Sequence, residues 1–99
     1  MRLTPAQIAD IHQLAIQVGG TRASVRLFGS RLDDNARGGD VDLLLDIPTP
    51  VEQPALLAAT FSAKVSRCMQ GRKVDVLIHA PNLMHQPIHD IAFSEGVVL

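Results

Sequence analysis

At 99 residues the chain fits one domain, residues 1–99, and a domain of this size buries roughly 60 to 70% of the surface that its unfolded chain exposes. Nine Lys plus Arg against ten Asp plus Glu, a formal net charge of −1 and no basic run exclude a nucleic-acid binder that relies on many phosphate contacts. A composition of 46% apolar and 19% charged residues excludes a disordered chain, and a single cysteine, Cys68, excludes an internal disulfide or a cysteine zinc site.

Thr4, Pro5 and Gln7 form a T-x-x-Q capping box with proline at the first helical position. Ile8, Ile11, Leu14, Ala15 and Val18 then recur at helical spacing until Gly19-Gly20, which predicts a first helix over about residues 5 to 18. The stretch ASVRLFG reads as a strand over roughly residues 23 to 28. RLDDNARGG follows as a loop that opens with at most one helical turn. DVDLLLDI is a second strand, buried on both faces beyond Asp42 because Leu43, Leu44 and Leu45 are consecutive, and Pro48 and Pro50 terminate it.

From Pro54 to Gln70, Leu57, Phe61, Val65, Cys68 and Met69 form an apolar stripe, Cys68 included in the core, and Gly71 supplies the stop. KVDVLIHA is a third strand closed by Pro81-Asn82. Pro87 opens a third helix with Ile88, Ile91 and Ala92 inward and Gly96 at its end. Val97-Val98-Leu99 adds a short edge strand suited to pairing with another chain. The order predicts a small α/β (α+β) domain: one mixed sheet with helices packed mainly on one face. The N-terminal MRLTPAQIAD has no apolar stretch suited to a signal peptide, and no segment approaches the ~20 apolar residues of a membrane span, so the expected location is cytoplasmic.

Asp40 and Asp42 are two apart on a strand and so share a face, about 6.6 Å apart along the chain. Asp75 points away from Val74 and Val76, and joins the pair if the second and third strands are neighbours. Carboxylates gathered on one sheet face repel unless a cation compensates, and hard oxygen donors select Mg²⁺ or Mn²⁺. Two such ions about 3.5 to 4 Å apart stabilise both the attacking and the leaving oxygen of a phosphoryl displacement. An isolated D-x-D is more often a solvated strand end, and its company decides. Upstream, Phe28-Gly29-Ser30 sits at a strand-to-loop junction, where Gly29 permits close backbone approach and Ser30 offers a hydroxyl and an N–H to phosphate.

Other polar residues read more plainly. Arg31 and Arg37 either reach a triphosphate bidentately or balance Asp33 and Asp34 locally. Lys73 shares a face with Asp75 and is either a phosphate contact or a solvated edge lysine. Asp46 ends its strand. His79, His85 and His89 lack metal-ligand spacing and read as surface or cap residues.

Taken together, Gly29-Ser30, nine intervening residues, Asp40-Val41-Asp42 and the later Asp75 resemble the minimal nucleotidyltransferases of the DNA polymerase beta-like superfamily. Members carry a Gly-Ser pair, about ten residues, D-x-D on the next strand and a third carboxylate on a later one; the loop here is about one residue shorter. The resemblance extends over nearly the whole chain, to a closing helix and a Gly-Val-Val-Leu-like tail. It implies the polymerase beta-like nucleotidyltransferase fold and a Mg²⁺-dependent transfer from ATP or another nucleoside triphosphate. Gly29 and Ser30 would hold the β- and γ-phosphates, and Asp40 and Asp42 would bind two metal ions. Asp75 would bind the catalytic one and act as, or position, the general base. Short members lack a second domain to grip the acceptor, and are often antitoxins that transfer AMP to a tyrosine of a helical HEPN-domain toxin. A partner HEPN protein, in a heterocomplex, or a homodimer is therefore expected. A catalytically silent module that blocks its partner sterically, and transfer to a small molecule such as an aminoglycoside, remain as alternatives.

Overall fold

A computed structural model describes residues 3–29 and 41–99. Three helices, α1 (Pro5–Gly19), α2 (Pro54–Cys68) and α3 (Pro87–Glu95), and four strands, β1 (Ser24–Phe28), β2 (Val41–Asp46), β3 (Val74–His79) and β4 (Val97–Val98), make up the described chain. The strands form one mixed sheet in the order β3-β2-β1-β4. β2 runs antiparallel to β1 and parallel to β3, and β4 pairs antiparallel with β1. The small α+β domain expected from the order of elements is what these residues form.

α1 starts on the predicted box. The Gln7 N–H donates to Thr4 Oγ1 at 3.1 Å, and the Thr4 N–H donates to Gln7 Oε1 at 2.9 Å. Two otherwise orphaned amides are thereby satisfied at the helix start. α2 stops at Cys68, two residues short of the predicted Gln70, because Gln70 and Gly71 both take left-handed backbone, φ 57 and 79. The early stop turns Cys68 to a half-buried position, and Met69 takes the core position, 2% exposed.

Alternation along the strands sorts the sheet into two faces. Val25, Leu27, Val41, Leu43, Leu45, Val74 and Ile78 point one way and pack with Ile11 and Ala15 of α1 and Phe61 and Val65 of α2. On the opposite face, Phe28 and Leu44 pack against Ala92, with Leu77 and Phe93 at the margin. Leu43, Leu44 and Leu45 are fully buried, as the leucine run predicts for a strand covered on both sides. Two helices lie on one face and α3 on the other.

α3 departs from the expected orientation. Ala92 is buried, but Ile88 and Ile91 are 44% and 47% exposed, and the remaining inward places go to His89 and Phe93. An imidazole is admissible there because both its nitrogens are satisfied, by the Gln86 N–H and the Ile78 carbonyl, each at 2.9 Å. The C-terminal residues form the expected edge strand: Val98 and Val97 pair with Arg26 and Leu27, and the Leu99 N–H donates to the Val25 carbonyl. Among the described residues no helix is long and apolar enough to cross a membrane.

Candidate active site

Asp42 and Asp75 are each the second residue of their strand, and they are register partners across the parallel β2–β3 pair. Their neighbours Val41 and Val74 are buried in the α1–α2 core, so alternation sends both carboxylates to the opposite face. The Val41 N–H, bonded to the Lys73 carbonyl at 2.9 Å, keeps the two strand starts level. Adjacent strands lie about 4.8 Å apart, which places two anionic side chains side by side. The conditional expectation that Asp75 lies beside Asp42 is met in this geometry.

Gly29 completes the arrangement from the β1 side. Phe28 is the register partner of Asp42, and Gly29 follows it with φ 79, a left-handed conformation that disfavours any Cβ. A Cβ there would also run into the Asp42 carboxylate, with Oδ2 as its nearest atom and Cγ at 3.2 Å. The backbone thus lies directly against the acid. Gly29→Ala is expected to lower stability by about 1–3 kcal/mol and to push Asp42 off its rotamer, measured as a fall in melting temperature.

Ser30, Arg31, Arg37 and Asp40 lie outside the described residues. Of the predicted site, Gly29, Asp42 and Asp75 are therefore the residues whose placement is described, and they come together. Among the described residues no group of three or more His, Cys, Asp or Glu side chains is arranged to hold a metal ion, and two carboxylates are what this part of the chain contributes. Both donors are oxygen, which fits a hard divalent cation. The Asp75 side chain is 52% exposed, and Lys73 Nζ stands 4.0 Å from its Oδ1. Such a solvated pair contributes little to stability.

At the far end of the same face the strands present a different pair. His79 Nδ1 lies 3.0 Å from Asp46 Oδ1, which makes Asp46 a strand-end partner of a histidine, about 13 Å along the strand from Asp42. His85, in the connection to α3, has Nε2 at 2.6 Å from Asp90 Oδ1. The reading of these histidines as surface or cap residues holds for exposed His85; His89 caps α3 through its ring yet is buried, and His79 is half-buried. Their proximity escaped sequence reasoning because a strand, a loop and a helix each supply one ring. A separate open groove of about 650 Å³, lined by Val18, Ile47, Val51, Leu56, Thr60 and Lys64 among others, lies past the C-terminal end of β2, away from the acids.

No protein-family model matches the chain, and none of the curated proteins is significantly similar to it in sequence.

Proposed function

We propose that the chain is a Mg²⁺-dependent nucleotidyltransferase of the polymerase beta-like kind, with the corresponding fold, which moves a nucleoside monophosphate, AMP from ATP in the first instance, to a hydroxyl of a partner protein. The observation that carries the reading is the register of Asp42 with Asp75, with the bare backbone of Gly29 against the first of them. Asp40, Asp42 and Asp75 would hold the cation. Mg²⁺, when bound, neutralises charge on the α-phosphate and on the departing pyrophosphate.

The residues of the chain supply the rest. Gly29 and Ser30 offer backbone N–H groups to the β- and γ-phosphates, with Arg31 and Arg37 as further anchors. Asp75 faces solvent and takes the proton of the incoming hydroxyl as its oxygen attacks the α-phosphorus. The new P–O bond forms as the bond to the bridging oxygen of the β-phosphate breaks, and pyrophosphate leaves. The protein acceptor, an antitoxin role and a HEPN-domain partner rest on the resemblance to short members of the superfamily. Incubation with ATP, Mg²⁺ and a HEPN protein encoded next to this chain should add one or more AMP units to that protein by intact mass; an unmodified cognate partner would sink the transfer claim.

A second reading is favoured by the exposed apolar residues Met84, Ile88 and Ile91 on and beside α3. Under it, the chain binds and blocks its partner without chemistry.

A further inference from the structure

Three histidines outside the candidate site meet where α3 begins. The His79 ring centroid is 5.5 Å from that of His85 and 5.8 Å from that of His89, and the rings of His85 and His89 stack at 5.1 Å. His79 and His85 each have a carboxylate at one nitrogen, Asp46 and Asp90. His89 is different. It is 4% exposed, its Nδ1 accepts the Gln86 N–H, and its Nε2 faces the Ile78 carbonyl.

Those two partners admit one form of the ring. A carbonyl requires a proton on Nε2, and a backbone N–H requires a lone pair on Nδ1. An imidazolium would aim a second donor at the Gln86 N–H and leave both protons of that contact without an acceptor. We propose that His89 is a proton-sensitive clasp: in its neutral form it fastens the start of α3 to the end of β3, and acidification opens α3 together with β4 from the sheet. β4 follows α3 directly and is held to β1 by two residue pairs, so helix and strand come away as one unit. Opening would bare Phe28 and Leu44, which Ala92 covers.

The charged and titratable surroundings come from every neighbouring element. Asp46 comes from β2, His79 from β3, His85 from the connection, and Asp90 from α3 itself; Arg26 of β1 lies over the Phe93 ring at 5.0 Å, and that ring meets His79 edge-on. His79 and His85 each face a carboxylate through one nitrogen, whereas His89 faces none through either of its nitrogens. Opening exposes both ring nitrogens of His89 to water, so the opened state accepts a second ring proton that the clasped geometry has no place for, and acid favours opening. For a histidine that is held neutral in one state and freely solvated in the other, the equilibrium between the states moves roughly tenfold between about pH 7.5 and about pH 5.5.

The inference is independent of nucleotide chemistry. Amide hydrogen exchange, corrected for the intrinsic effect of pH, should show α3 and β4 losing about tenfold protection relative to α1 and α2 over that interval. An equal change in all three helices would overturn it. His89→Gln should abolish the difference, while His79→Gln and His85→Gln should keep it; its loss in either of the latter two would place the sensor elsewhere. Should His89→Gln not fold, the imidazole nitrogen spectrum of the unmodified chain at neutral pH decides: the Nε2–H tautomer for His89 is required, and a protonated Nδ1 would contradict the clasp.

Discussion

Replacing Asp42 by asparagine should lower nucleotidyl transfer by about a thousandfold or more while leaving the fold in place. Asparagine keeps the shape of the side chain that lies against Gly29 but removes the charge that the proposed function assigns to a cation. Asp42 and Asp75 are like charges side by side in register, an arrangement that a bound cation would compensate. Mg²⁺ should raise the melting temperature of the unaltered chain and not that of Asp42→Asn, because a ligand stabilises only the state that binds it. A coordinated loss of activity and stability would point to a structural role for the acid. The paired change Asp40→Asn, Asp42→Asn separates the two functional readings: neutralisation of the partner that survives it unchanged belongs to binding and not to catalysis.

The largest effect on stability is expected at Phe61. Its side chain is fully buried in the layer between α2 and the sheet, in the same cluster as Leu43 and Val65. Phe61→Ala removes a ring and leaves a cavity in a close-packed interior, a loss of about 3–5 kcal/mol. Against a total stability of about 5–15 kcal/mol, that lowers the melting temperature by roughly 15–30 °C, measurable by calorimetry or far-ultraviolet circular dichroism. Cys68→Ala, half-buried at the helix end, should change it by a few degrees at most.

Residues whose role is local were legible in the sequence. Thr4 and Gln7 announce the start of α1 through a spacing that has one physical use, and Leu43-Leu44-Leu45 announces a strand covered on both faces. The juxtaposition of Asp42 and Asp75 was legible only conditionally, because alternation gives the face of each acid but not which strands are neighbours. α3 was misread for a definite reason. Ile88, Ile91 and Ala92 and the set His89, Ala92 and Phe93 both fit helical spacing, and the choice is made by the hydrogen bonds that His89 accepts from the Gln86 N–H and makes with the Ile78 carbonyl. No local pattern carries that information. Likewise the apolar tail reads as a strand without naming its partner, and the pairing with β1 depends on α3 returning the chain across the sheet.

Under the proposed function the acids at the open ends of β2 and β3 form a cation and triphosphate site. Paramagnetic broadening of backbone amide resonances by Mn²⁺, with a non-hydrolysable ATP analogue present, tests it without any acceptor. Broadening is expected to centre on Gly29, Asp42 and Asp75, with the amides around Lys64 and at the start of α2 staying sharp. Broadening centred on the histidine cluster or on the groove beside α2, or none at millimolar analogue, would contradict it.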